Sequence, residues 1–173
     1  TNGVQVNAAL PAGTNNIGNV GGKTVAVTVT PTVTTANAYG TNYVVGGLLT
    51  FANAFTSKGS GIVQSISVTC KRVESMGWTL FLFAGNPSNT TWTDAAVANI
   101  NAADISIVRG PILFTNNSSG LGTMTTSFAP GIGIAMSTGS TSLYGVLVSN
   151  AALTNNFTTT SDISVTATVL QDV

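Results

Sequence analysis

The side chains of this chain that could do acid–base chemistry are its few carboxylates. Its acidic residues are Glu74, Asp94, Asp104, Asp162 and Asp172, and histidine is absent. Without histidine, neither a Ser-His-Asp triad nor an imidazole base can be built. Asp94 and Asp104 flank one irregular stretch and are the best pair for glycoside hydrolysis. The stronger interpretation is structural, with Asp94 capping a short helix and Asp104 opening a strand. We therefore predict that the protein is not an enzyme.

The same stretch also offers oxygen ligands of the kind that calcium prefers. They are Asp94, Asn99, Asn101 and Asp104. Their spacing does not follow the Asp-x-Asp-x-Asp-Gly pattern of a calcium loop. Residues 18–24 (GNVGGKT) are similar to a phosphate-binding loop but are one residue short and lead into a strand instead of a helix. We predict neither a metal ion nor a cofactor.

The single cysteine, Cys70, cannot form a disulfide within the chain. It follows Ile66 and Val68 in a two-residue alternation, which predicts a small buried hydrophobe. A reactive thiol would need a nearby cation, and Lys71 should point to the opposite face of the strand. We favour the buried role.

Trp92 is a large aromatic residue in a polar loop, residues 86–94. An exposed indole in such a loop is typical of a stacking platform for a sugar. A ring folded back over the end of the domain would also explain it, because exposed apolar area is normally covered. We favour the packing role and keep glycan contact as the alternative.

Charge is scarce throughout the chain, and this excludes several classes of function. Only 6% of the 173 residues are charged and the formal net charge is zero, whereas Thr, Ser and Asn make up about a third of the chain. Five scattered cations cannot form the basic surface that nucleic acid requires. No apolar run approaches the length of a membrane span. The mean hydropathy is +0.39 and the net charge is zero, so a free monomer has little charge repulsion to prevent association. This favours a protein that functions within a larger assembly.

Strand patterns separated by turn residues recur from residue 23 onward. The predicted strands cover residues 24–34, 43–51, 62–73, 78–84, 105–114, 123–128, 132–136, 142–149 and 162–170. Pro31 lies within the first and favours an edge position or a bend. The one helix candidate is 93–100, with Thr93 as its cap. We predict an all-β, two-sheet antiparallel sandwich, most simply a jelly roll. An immunoglobulin-like sandwich is the alternative, although its Cys…Trp…Cys spacing is absent.

The predicted strand at 78–84 is apolar on both faces. Trp78, Leu80 and Leu82 alternate with Phe81 and Phe83. A strand of this kind must be covered twice, either by a second layer or by another subunit. Phe81 and Phe83 are therefore candidate subunit-interface residues.

Residues 1–22 differ from the rest of the chain, residues 23–173, which we assign to the sandwich domain. They combine apolar residues with Asn, Gly and Pro and show turn signals. An extended arm that docks on another surface fits this composition, and a first strand plus a loop of the same domain is the alternative. The candidate docking residues of the arm are Val4, Val6, Leu10, Pro11 and Ile17.

Several stretches together resemble a virion structural domain of tailed bacteriophages. They are residues 7–18 (NAALPAGTNNIG), 46–51 (GGLLTF), 82–94 (LFAGNPSNTTWTD), 141–148 (TSLYGVLV) and 170–172 (LQD). The resemblance spans most of the chain and carries no catalytic motif. It implies a structural virion component, either a capsid decoration (cement) protein or a module of a fibre.

Two hypotheses follow for the function. In the first, the protein is a non-enzymatic decoration protein that binds the major capsid protein as a homotrimer on the outer surface of the phage head. In the second, it is a fibre- or tail-associated receptor-binding module that recognises a host glycan through Trp92 and loop amides. The absence of a long repetitive stem from this sequence favours the first.

Overall fold

A computed structural model describes residues 22–72, 77–114, 117–118, 122–153 and 156–172. These residues form ten strands and one short 3-10 helix, so the all-β prediction is confirmed. In chain order the elements are β1 (Lys23–Val29), β2 (Val44–Phe51), β3 (Ser60–Cys70), β4 (Trp78–Phe83), the 3-10 helix (Ala102–Ile107), β5 (Val108–Phe114), β6 (Asn117–Ser118), β7 (Thr125–Ala129), β8 (Ile134–Ser137), β9 (Leu143–Ser149) and β10 (Ile163–Gln171).

The strands form two antiparallel sheets that pack face to face. One sheet has the order β1-β10-β3-β7-β6, with β8 also paired to β3, and the other has the order β2-β9-β4-β5. The pairs are nested, since β1 pairs with β10, β2 with β9, β3 with β7 and β8, and β4 with β5. A chain that pairs from its ends toward its middle and then rolls up is a jelly roll. The order differs from that of the immunoglobulin-like alternative.

The hydrophobic core lies between the two sheets and follows the alternation seen in the sequence. On β10 the inward residues Ile163, Val165, Ala167 and Val169 are fully buried, while the residues between them are partly exposed. Cys70 is also buried in this core, which confirms its predicted packing role. Each fully buried aliphatic side chain contributes roughly 1.5–3 kcal/mol relative to an exposed one.

The doubly apolar strand β4 is covered on both faces by this chain itself. Trp78, Leu80 and Leu82 lie in the core between the sheets. Phe83 faces the other way and is only 1% exposed, because it belongs to a second cluster formed against the long connection from β4 to β5. Phe83 therefore has no surface left for the predicted subunit contact, whereas Phe81 stays partly exposed.

The predicted helix at residues 93–100 is wrong. Ala95 donates its main-chain N–H to the carbonyl oxygen of Val44 (2.9 Å), and Val44 donates to the carbonyl oxygen of Ala96 (2.8 Å). These bonds to β2 take the groups that a helix would use internally, and Ala95 has a φ of 56°. The short helix that does form is the 3-10 helix, and Asn101 caps it by accepting from the N–H of Ala103 (2.9 Å).

β1 is an edge strand and ends at Val29, two residues before Pro31, as the proline favoured.

The predicted arm residues Val4, Val6, Leu10, Pro11 and Ile17 lie outside the described residues. Within the described part of the chain, no helix is long and apolar enough to cross a membrane.

Candidate functional site

The carboxylate of Asp94 ties the β4–β5 connection to the rest of the sandwich. It accepts hydrogen bonds from the main-chain N–H of Thr34 (2.6 Å), the N–H of Gly46 (2.6 Å) and the hydroxyl of Tyr39 (2.7 Å). Burial and the hydrogen bond to Asp94 raise the pKa of the Tyr39 hydroxyl far above its ordinary value, so it stays a donor. Asp94 thus acts as a structural acceptor for two segments of the chain, the β1–β2 connection and β2.

The carboxylate of Asp104 is likewise a structural acceptor, for the loop that contains Asn89 and Thr90. It is buried and accepts from the N–H (3.1 Å) and Nδ2 (2.9 Å) of Asn89 and from the hydroxyl of Thr90 (2.7 Å). Burial opposes its ionisation, but these hydrogen bonds outweigh burial and lower the pKa of Asp104 below its ordinary value. Among the described residues, Asp94 and Asp104 share no hydrogen-bond donor.

Three of the four calcium ligands considered from the sequence, Asp94, Asn101 and Asp104, accept hydrogen bonds from groups of the chain. Asn101 caps the 3-10 helix, and Asn99 is exposed beside a polar hollow of about 300 Å³. Within the described ranges, no group of three or more His, Cys, Asp or Glu side chains is placed to hold a metal ion.

The two remaining described carboxylates also accept hydrogen bonds from nearby residues. Asp162 accepts from the N–H (2.7 Å) and the hydroxyl (2.8 Å) of Thr158 and from the N–H of Thr159 (3.1 Å), which closes the turn before β10. Burial opposes its ionisation, but hydrogen bonds from Thr159 and Thr158 outweigh burial and lower the pKa of Asp162 to about 2. Asp172 accepts from the hydroxyl of Ser60 (2.9 Å). Glu74 lies outside the described residues.

Trp92 packs against the outer surface of the β2-β9-β4-β5 sheet. Its ring centroid lies 5.6 Å from that of Phe83 at an interplanar angle of 53°. Its indole nitrogen Nε1 is buried and, within the described part of the chain, has no hydrogen-bond partner. The indole ring therefore packs against the second hydrophobic cluster and is only partly exposed.

A cavity of about 370 Å³ lies beside this ring, between the sheet and the β4–β5 connection. Every residue that lines it is apolar: Phe81, Phe83, Trp92, Ala98, Ile100, Ile105, Val108 and Val148. Ile105, on its wall, is 56% exposed. This volume lies within the range of small binding pockets, but the lining offers little polar chemistry.

The apolar surface continues from the cavity along the edge strand β5. Leu113 is 59% exposed and Pro111 is exposed, and both alternate with core residues that point inward. Pro111 lies opposite Phe81 in the sheet register. We call the surface formed by Phe81, Ile105, Pro111 and Leu113 the outer apolar face. Large contiguous exposed apolar patches mark interaction sites, whereas singly exposed apolar residues are ordinary.

The sequence pointed to Phe81 but not to the rest of this face. The sequence predicts a strand at residues 105–114, but Ile105 lies in the 3-10 helix. The cavity exists only because the β4–β5 connection folds back over β4. The apolar residues Ala98, Ile100 and Ile107 in that connection are the signal that could have indicated the covering layer.

Comparison with family models, with curated proteins and with solved structures finds no match.

Proposed function

We propose that the protein is a non-enzymatic structural component of a bacteriophage virion, a capsid decoration protein. It binds the major capsid protein on the outer surface of the head and does so as a homotrimer. The outer apolar face carries this proposal, because its exposed apolar side chains would be covered by contact with another protein. The phage assignment itself rests on the sequence resemblance, and jelly rolls are common in viral capsids.

The chemistry of the described residues agrees with a binding role. Each described carboxylate accepts hydrogen bonds from groups of the chain, which supports structural roles for them. Burial of apolar surface contributes roughly 25 cal/mol per Å². The four residues that define the outer apolar face are uncharged, so their own burial carries no cost of desolvating an ion, and the exposed Arg109 lies two positions before Pro111 on β5.

The experiment is co-sedimentation of the full-length protein with undecorated phage heads. Leu113→Asp places a charge in the outer apolar face, and Phe128→Asp places one on the other sheet at a residue of similar exposure, 59% against 54%. We expect Leu113→Asp to abolish saturable binding and Phe128→Asp to preserve it, with both variants folded by circular dichroism. Equal binding by both variants would remove the outer apolar face from the proposal.

One observation favours the receptor-binding alternative. The polar hollow of about 300 Å³ is lined by Asn89, Thr90, Thr91, Asn99, Ile100 and Asn101. The exposed Thr91 and Asn99 are the groups that suit a sugar, because Asn89, Thr90 and Asn101 already form hydrogen bonds within the chain. Asn99→Ala is a sharper test than Trp92→Ala, because Asn99 is exposed whereas Trp92 also packs on Phe83. Loss of glycan-array binding in Asn99→Ala with unchanged stability would support this alternative.

A further inference from the structure

Within the described residues, three long strands lie at sheet edges and pair on one side only: β1 in one sheet, and β2 and β5 in the other. There β1 pairs with β10 alone, in register from Lys23↔Gln171 to Val29↔Val165. Its inward valines Val25, Val27 and Val29 pack against the core but stay partly exposed. Their partners on β10 are fully buried. The core is therefore open along β1.

The edges of the other sheet are protected in ways that β1 is not. β5 carries an exposed Pro111 and a register shift near Gly110. The start of β2 is covered by the β4–β5 connection through the hydrogen bonds of Val44. Proline, bulges and covering segments are the usual devices that prevent edge pairing. β1 has no proline or bulge, and its only charge is Lys23 at its first position.

The sequence that precedes β1 has the pattern of a strand and then of a linker. In residues 3–10, apolar Val4, Val6, Ala8 and Leu10 alternate with Gln5, Asn7 and Ala9. Such alternation suits a strand with one buried face. Residues 11–22 are rich in Gly and Asn. A connection of this length is far longer than the two to five residues usual in a hairpin, and as a flexible chain it reaches about 20 Å.

We propose that residues 3–10 of one copy add as an extra strand to the β1 edge of a neighbouring copy. Main-chain hydrogen bonds to the open edge supply the affinity, and Val4, Val6, Ala8 and Leu10 extend the row formed by the β1 valines. Because donor and acceptor are different surfaces, the contact is heterologous and closes into a ring when the rotation allows. A three-membered ring would produce the proposed homotrimer, and the inference needs no contact with a phage head.

The test uses the full-length chain with two matched double variants. Val4→Asp with Val6→Asp charges the apolar side of the segment, and Gln5→Asp with Asn7→Asp adds the same charge on its other side. The readouts are the mass by light scattering and the hydrogen exchange of β1 amides. In the wild type we expect an oligomer in which all β1 amides exchange slowly. In the Val4/Val6 variant, alternate β1 amides should exchange on the order of 100-fold faster and the mass should fall to that of a monomer.

The control variant should keep both the mass and the protection of the wild type. Fast exchange of alternate β1 amides in the wild type would overturn the proposal, as would equal behaviour of the two variants. A monomeric wild type with fully protected β1 would show that the segment pairs within its own copy, which also overturns it. If protection and mass behave as expected but heads are not bound, only the proposed function fails.

Discussion

Asp94 offers the sharpest test of the structural role that its hydrogen bonds indicate. Its side chain accepts hydrogen bonds from the N–H groups of Thr34 and Gly46 and from the hydroxyl of Tyr39. Asp94→Ala removes all three acceptor contacts at once. It leaves the Tyr39 hydroxyl, on a side chain that is 0% exposed, without its carboxylate partner.

The size of the effect follows from the number and kind of these bonds. A hydrogen bond to a charged group contributes about 1.5–3 kcal/mol when it is well shielded. Asp94 is only partly buried, so water replaces some of what is lost. We therefore expect the free energy of unfolding to fall by about 3 kcal/mol in Asp94→Ala and by about half as much in Asp94→Asn, which keeps one acceptor oxygen.

Urea denaturation at one fixed protein concentration measures these differences, and Asp172→Ala is the matched control. Within the described residues, the side chain of Asp172 accepts one hydrogen bond, from the Ser60 hydroxyl, and the residue is exposed. The bond from Thr56 goes to its main-chain oxygen and survives the substitution, so Asp172→Ala should change stability by less than about 0.5 kcal/mol. A double-mutant cycle with Tyr39→Phe isolates the bond between the hydroxyl and the carboxylate. If Asp94→Ala unfolded at the same urea concentration as Asp172→Ala, the structural role assigned to Asp94 would be wrong.

Three further predictions concern stability. Because the pKa of Asp162 is lowered to about 2 in the folded state, its contribution is fully present above about pH 4, near the unfolded value. This contribution to the free energy of unfolding is lost as the pH falls toward 2. When stability is measured against pH, Asp162→Asn should therefore lose less stability than the wild type between about pH 4 and about pH 2. Gly46 has a φ of 77° and its added Cβ would lie 2.1 Å from a proline side chain, so Gly46→Ala should cost about 2–3 kcal/mol in urea unfolding. Gly85→Ala, with nothing within 4 Å of its Cβ, should change stability by less than about 0.5 kcal/mol. Trp92→Phe should cost less than about 1 kcal/mol by thermal unfolding, because the indole N–H that it removes has no described partner, and a larger loss would indicate an unseen bond.

Local patterns in the sequence predicted the strands well. The two-residue alternation from Ile163 to Val169 correctly predicted strand β10 and which of its faces is buried. The run of residues 78–84, apolar on both faces, correctly predicted that β4 is an inner strand of its sheet. Both signals are local, because side chains of a strand alternate between faces whatever its partners are.

Contacts between distant segments were not predictable in this way. Residues 93–100 have a helix-like start, but their main-chain groups bond to β2, some fifty residues earlier in the chain. The sequence predicts local roles for both carboxylates, Asp94 as a helix cap and Asp104 at the start of a strand, whereas Asp94 accepts from groups as distant as Thr34. The outer apolar face also depends on how the β4–β5 connection folds back, and no period in its sequence encodes that path.

The most direct test of the decoration proposal is a binding isotherm of the labelled full-length protein on undecorated phage heads, followed by sedimentation. The account predicts saturation at a fixed number of trimers per head, competed by excess unlabelled protein and not by the Leu113→Asp variant. Protein that stays in the supernatant at every concentration, while its fold and oligomeric mass are intact, would contradict the assignment to the head.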